Sequence, residues 1–289
     1  MSIKLTDLWR YPVKSCRGER LRESAVEPWG LAGDRRWMIV DTDGVPVTAR
    51  EYPPLVLVTP TLTGGGIRLS GPGLPDLTVP VPSARPAGPA GPAGSGLVPV
   101  NVWGSELDAA LAGGDASQWL GKITGEPVRL VYLDDPTRRP TDPDYSSAGD
   151  RVSFADNYPL LLTNTESLAA INTWIAAGPH SAEGPVPMSR FRPSVVVDGA
   201  PAWAEDRWRR VRIGDVAFRV SRGCDRCVFT TIDPDTAIKG KEPLATLARH
   251  RRWDKKVWFG VNLIPDEPRS GGLTHADMIR VGDPVEVVA

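Results

Sequence analysis

The sequence predicts a mainly β fold with some helix, an α+β class, on three observations. Short stretches in which apolar and polar residues alternate recur along the chain between turn residues. Glycine and proline number 29 each, a large supply of turn chemistry. Ten tryptophans offer large rigid side chains to fill a core.

Taken in order, residues 3–9 alternate as a strand, and similar stretches follow at 36–40, 45–49, 55–62 and 67–70. Asp41-Thr42-Asp43-Gly44 reads as a hairpin turn rather than a calcium loop, because the other ligands of such a loop are missing. Residues 84–96 run Ala-Arg-Pro-Ala-Gly-Pro-Ala-Gly-Pro-Ala-Gly-Ser-Gly, too short for a collagen helix, and are expected to form a flexible surface insertion. A strand at 98–103, a helix at 115–123 capped by Asp115, and a strand at 128–133 come next. The polar, proline-rich run 134–144 marks a crossing between domains. Thr163-Asn164-Thr165-Glu166 has capping-box spacing ahead of Leu168, Ile171 and Ile175, one apolar helix face. Strands at 194–197, 211–213 and 216–220, a short helix after Glu242-Pro243 and a closing strand after Gly282-Asp283 complete the reading.

A length of 289 residues implies one large or two modest domains. With 41% hydrophobic and 24% charged residues, the composition excludes a mainly disordered chain. A formal charge of -1 provides no global field for nucleic acid or anionic lipid. Runs such as Leu160-Leu161-Leu162 and Val195-Val196-Val197 are too short to span a membrane, and the N-terminus reads as a strand rather than a signal peptide. The expectation is a cytoplasmic protein with neither a nucleic-acid nor a membrane partner.

Cys224-Asp225-Arg226-Cys227 is the sharpest local feature, and four readings of it stay open. Structural zinc wants four ligands, yet only Cys16 and three histidines in no matching pattern remain. A thioredoxin-like pair wants a helix after the motif, whereas residues 228–232 read as β. Two buried small side chains are a third option. The fourth is one thiolate serving as a soft ligand to a metal whose other ligands belong to a cofactor. Lys14-Ser15, Asp34-Arg35-Arg36, Thr48-Ala49-Arg50 and Arg190-Phe191-Arg192-Pro193 all sit at strand ends. Their cations are either solvated singly or converge on a phosphate.

In chain order, Tyr11-Pro12-Val13-Lys14-Ser15, Gly30-Leu31-Ala32-Gly33-Asp34-Arg35, Thr48-Ala49-Arg50, Arg190-Phe191-Arg192-Pro193, Cys224-Asp225-Arg226-Cys227, Thr230-Thr231-Ile232-Asp233-Pro234, Glu242-Pro243-Leu244-Ala245-Thr246-Leu247 and Val281-Gly282-Asp283-Pro284-Val285 resemble the motifs of the MOSC family. That family is named for the C-terminal domain of molybdenum cofactor sulfurase. Within it, the chain looks most like the pairing of an N-terminal MOSC β-barrel with a MOSC domain in the mitochondrial amidoxime reducing component and its bacterial relatives. The resemblance implies a β-barrel-like domain over 1–135 and a molybdenum-cofactor domain over 136–289, with the cofactor between them.

By resemblance, Cys227 ligates molybdenum, the other sulfurs coming from the molybdopterin dithiolene, and Cys224 stands beside it. Lys14, Ser15 and Arg35 match positions that hold the cofactor's phosphate and pterin, and Arg192 and Arg226 match contacts from the MOSC side. Asp156 matches an acidic residue near the metal's open face, and the helix start at Thr163, Asn164 and Thr165 adds polar contacts. An aspartate there either delivers a proton to the departing oxygen or serves as a turn or capping residue. The implied activity is oxygen-atom removal from N-hydroxylated compounds such as amidoximes, hydroxylamines or hydroxylated nucleobases. A cofactor carrier or sulfur-delivery protein without turnover is the alternative. No pyridoxal phosphate site is expected. Three cysteines leave none for a fused ferredoxin-like domain, so electrons are expected from a separate protein of ferredoxin, flavodoxin or cytochrome b5 type.

Overall fold

The computed structural model describes residues 2–83, 96–266 and 278–288, so all but the last residue of the expected 84–96 insertion lies outside the described residues. Strands dominate, with three α-helices among the described residues: α1 (Gly114–Thr124), α2 (Thr165–Ala176) and α3 (Leu244–His250). The α+β class is as expected. Among the described residues no helix is long and apolar enough to cross a membrane.

A nine-stranded sheet forms the larger layer. Its order is Val285–Val288, Arg210–Ile213, Val216–Asp225, Lys256–Pro265, Leu160–Asn164, Val195–Asp198, Lys4–Arg10 and Glu19–Leu21, with Arg252–Trp253 paired separately to Lys256–Pro265. Neighbours are antiparallel except Leu160–Asn164 and Val195–Asp198, a parallel pair whose connection contains α2, as a crossover requires. The apolar run Val195-Val196-Val197 is buried throughout, which suits a strand covered on both faces. First-half residues build a four-stranded sheet ordered Trp37–Val40, Arg129–Tyr132, Ser105–Leu111, Leu97–Val102, and a meander of Thr59–Thr63, Gly66–Gly71 and Leu74–Pro80.

The two halves of the chain are interlaced. Lys4 pairs with Asp198, Leu5 with Val197 and Leu8 with Val195, and Glu23–Glu27 pairs with Met278–Arg280. Leu5 and Leu8 are therefore buried with Leu162, Val197, Phe218 and Leu263 under the large sheet. Each such side chain contributes about 1.5–3 kcal/mol on burial. A separate cluster around Trp37, Ile39, Leu55, Ile67 and Leu130 fills the first half.

Several local expectations are corrected. Residues 228–232 form a 3-10 turn, Val228–Thr231, rather than a strand. Thr230 and Thr231 each return a hydroxyl to the carbonyl three residues earlier, at 3.0 and 2.8 Å, a local bond that competes with a sheet ladder. The stretch 45–49 holds only an isolated bridge through Pro46, which has no N–H to continue a ladder. In 55–62 the paired prolines open a 3-10 turn, Pro53–Leu57, and the strand starts only at Thr59. The cap of α1 is Gly113, with Asp115 inside the first turn. The cap of α2 is Asn164, whose side chain accepts from the Glu166 N–H, while Thr163 belongs to the strand. Tryptophan fills the core only in part: Trp37, Trp119, Trp208 and Trp258 are buried, whereas Trp103 and Trp253 are exposed.

Candidate active site

A cleft of about 490 Å³ opens where the two halves meet. Strand ends build it. Lys14 and Ser15 follow Lys4–Arg10, Arg35 follows Gly30–Leu31, Asp156 precedes Leu160–Asn164, Arg192 precedes Val195–Asp198, and Cys224 lies at the end of Val216–Asp225. Five basic side chains, Lys14, Arg35, Arg50, Arg192 and Arg226, face three acidic ones, Glu51, Asp156 and Asp225. The lining thus carries excess positive charge within a chain of formal charge -1.

Backbone strain gathers at the same place. Eight non-glycine residues among those described take a positive φ, and four of them line the cleft: Ser15 at 70°, Arg35 at 46°, Trp103 at 54° and Arg192 at 55°. Each costs about 1–2 kcal/mol relative to ordinary backbone, so the surrounding packing must enforce it. Tyr11 is part of that packing. The Arg192 and Arg35 guanidinium groups lie 4.1 and 4.5 Å from its ring centre. Asp34, fully buried, accepts from Arg35 at 2.5 Å and from the Tyr11 N–H at 2.7 Å. Arg192 donates to the Cys16 carbonyl at 2.7 Å, and burial lowers its pKa to about 10.

The three thiols differ in reach. Cys16 is buried, Cys224 half-buried and Cys227 exposed. Burial pushes the Cys16 thiol up to about 12. Burial also pushes Cys224 up, against the pull of Arg226. Arg226 donates from Nη1 to Cys224 Sγ at 2.8 Å and from Nη2 to the Phe191 carbonyl at 2.7 Å, which ties the cysteine loop to the turn that presents Arg192. Arg50 Nε donates to Cys227 Sγ at 3.4 Å.

Asp156 links the two walls. Its carboxylate accepts from Lys14 Nζ, from Arg50 Nη2 at 2.8 Å and from Trp103 Nε1 at 3.2 Å. Desolvation pushes its carboxyl up, but Lys14, Arg50 and the hydrogen bonds outweigh that and hold it far below the usual carboxylate range. Burial lowers the Lys14 ammonium to about 8 although Asp156 opposes the shift. The loop that carries Asp156 wraps a buried guanidinium: Arg139 donates to the carbonyls of Ser153, Ala155 (2.5 Å) and Asp156 (2.7 Å).

Of the residues singled out in the sequence, Cys227, Asp156, Lys14, Ser15, Arg35, Arg192, Cys224 and Arg226 all line this cleft. Thr163, Asn164 and Thr165 do not. They stand at the far end of their strand, where Asn164 Nδ2 donates to the Pro201 carbonyl at 2.9 Å and to Glu205 at 3.2 Å, and Thr165 donates to Asp198. Sequence reasoning left out Arg50, Trp103 and Arg139 from the site. Arg50 stood out only as one of several basic strand ends. Trp103 had the signal of a tryptophan before a turn glycine, and Arg139 had none.

Comparison with known proteins agrees with this arrangement. Residues 2–127 match the MOSC N-terminal beta barrel domain and residues 149–286 the MOSC domain. Similar proteins include mitochondrial amidoxime-reducing component 1 of Homo sapiens, 32% identical, covering 97% of this chain and 82% of its own length. The Mus musculus counterpart is 34% identical, covering 97% of this chain and 81% of its own length. Mitochondrial amidoxime reducing component 2 of Rattus norvegicus is 33% identical, covering 97% and 82%. A thiol-bearing, cation-lined cleft built between two such domains thus comes with a lineage, and the chain belongs to the MOSC family whose members pair an N-terminal MOSC β-barrel with a MOSC domain, the amidoxime-reducing components among them.

Proposed function

We propose that this chain is a molybdenum-cofactor-dependent reductase of small N-hydroxylated compounds. One observation carries the reading: the only exposed thiol of the three, Cys227, sits in a cleft with surplus cationic side chains. The donor set suits the cofactor. A soft sulfur fits a metal that takes thiolate ligands, and among the described residues no group of three His, Cys, Asp or Glu side chains could hold a metal ion alone. Arg226, a residue of the cleft lining, keeps a buried Nε that has no partner among the described residues.

In this reading Cys227 would hold the metal, and Lys14, Ser15, Arg35 and Arg192 would hold the anionic end of the cofactor. Arginine grips phosphate with a planar fork and lysine as a point charge. When bound, the cofactor supplies the two-electron reduction of the N–O bond, in which substrate, two electrons and two protons give the N–H product and water. Arg50 keeps the Cys227 sulfur and the Asp156 carboxylate in fixed relation, since it bonds both. Asp156, held as a carboxylate, orients N–H groups of a substrate. Lys14 Nζ, bonded to Asp156 and lowered by burial to about 8, keeps a proton beside that carboxylate. A separate protein supplies the electrons.

The test is protein produced in a host that makes the cofactor, assayed for molybdenum and for reduction of benzamidoxime by reduced methyl viologen. The expected result is about one molybdenum per chain and sustained turnover, both lost in Cys227→Ala. Metal retained in full by Cys227→Ala would remove the proposed ligand. Metal bound without turnover would favour a carrier.

A further inference from the structure

The reductase proposed above needs electrons from outside, and one surface beside the cysteine loop is built unlike the rest of the molecule. Residues 249–256 read Arg-His-Arg-Arg-Trp-Asp-Lys-Lys: five cations and one carboxylate in eight residues, in a chain whose formal charge is -1. All but Arg251 are exposed. Among the described residues Arg249, Arg252 and Lys255 form no ion pair, whereas Arg251 pairs with Asp206 at 2.6 Å and Lys256 with Asp225 at 3.6 Å. The segment's first two residues end α3 (Leu244–His250) and the rest turns back as a hairpin. Asp254 and Lys255 both take positive φ, 50° and 61°, between the paired strands Arg252–Trp253 and Lys256–Pro265, which matches the tight turn that follows strand twist.

In the middle of these charges Trp253 stands 43% exposed. Its inner face stacks on buried Trp258, centroids 5.7 Å apart and planes at 19°, and the Arg251 guanidinium lies 4.7 Å from its ring. The hairpin then leads directly to the cleft. Val257 accepts from the Arg226 N–H at 2.7 Å, and Trp258 is in register with Asp225. An exposed tryptophan flanked along the chain by the unpaired cations Arg252 and Lys255 has the anatomy of a protein contact, with an aromatic anchor inside a polar rim.

We propose that this basic hairpin, with Trp253 at its centre, is the docking surface for an acidic one-electron carrier protein. The inference rests on the reductase reading. Charge complementarity selects the carrier: unpaired positive charge on this hairpin steers an acidic protein there and repels a basic one. Two encounters deliver the two electrons that one N–O reduction consumes. Nucleic acid is the weaker candidate, because a single hairpin on a near-neutral chain lacks an extended basic track.

The experiment uses holoprotein, benzamidoxime and two reductants, an acidic [2Fe–2S] ferredoxin and reduced methyl viologen. In the double variant R252E/K255E the ferredoxin-supported rate at low ionic strength should fall about tenfold or more, with the viologen-supported rate unchanged. Added salt should narrow the gap. Trp253→Ala should weaken the ferredoxin reaction alone. Equal ferredoxin rates in variant and wild type, or equal losses with both reductants, would overturn the docking surface. Wild type inert with methyl viologen would sink the reductase reading instead. The surface is then judged by calorimetric titration with oxidised ferredoxin, where binding about tenfold weaker in the variant supports it and equal binding overturns it. Duplex DNA binding more tightly than ferredoxin, and lost in the variant, would also overturn it.

Discussion

Two polar regions stand at opposite ends of the strand Leu160–Asn164, and only one is a candidate for chemistry. At the α2 end every polar group named is paired within the protein. Asn164 caps the helix and bonds Pro201 and Glu205, Ser167 donates to Glu205 at 2.6 Å, and Thr165 pairs with Asp198. At the cleft end cations outnumber carboxylates, a thiol faces solvent, and the backbone is held in strained conformations. Polar density alone therefore does not mark a site. Unbalanced charge held against an open space does.

The contrast can be broken by substitution. The largest effect is expected at Cys227, where Cys227→Ala should abolish metal binding and lower turnover by more than about a hundredfold, beyond the loss given by a supporting contact. Cys224→Ala should keep the metal, as read by elemental analysis. Next comes Arg50→Ala, expected to lower turnover about 10–100-fold with metal content unchanged. Unaltered kinetics would remove Arg50 from the site.

Smaller effects sharpen the comparison through stability. Asp156→Asn leaves a buried Lys14 without its anion, and because Asp156 is half exposed the cost is about 1–2 kcal/mol. The sign with pH follows from the shifts. The folded Asp156 carboxyl titrates well below its unfolded pKa of about 3.9, so its contribution is fully present above that value and is lost progressively as pH falls below it toward the lower folded pKa. The Lys14 ammonium is held at about 8 against 10.5. The unfolded chain binds more protons across that window, so stability rises with pH from about 8 to about 10.5. Thermal melts of cofactor-free protein should show both limbs, with the acid limb flattened in Asp156→Asn. The smallest effect on catalysis is expected at Asn164→Ala, which should cost about 1–3 kcal/mol of stability and leave turnover per folded molecule as it was. A selective loss of turnover there would return the helix start to the site.

How much of this was legible in the sequence depends on how local the cause is. The strand at residues 3–9, the Asp41–Gly44 turn and the apolar face of α2 are written in neighbouring residues and form as read, although a register shift between Leu5 and Asp7 breaks the alternation so that Leu5 and Leu8 are both buried. Turn chemistry that overrides a β-rich stretch, as in Val228–Thr231, is local too, but it depends on threonine hydroxyls that suit a strand equally well. The eight cleft residues found in advance were named through motif order, since a basic residue at a strand end is ambiguous by itself. Arg50, Trp103 and Arg139 escaped because their roles arise from pairing across the fold: Arg50 and Cys227 are 177 positions apart, and Arg139 acts on carbonyl groups.

The crossing of Lys4–Arg10 into the large sheet has a consequence for biosynthesis. Its partner Val195–Asp198 leaves the ribosome some 190 residues later, so the opening segment must wait, with Leu5 and Leu8 uncovered, until most of the polypeptide has been made. Assembly dominated by such distant pairing is slow and prone to association with other chains. Splitting the molecule between its halves should yield two insoluble fragments rather than two working ones.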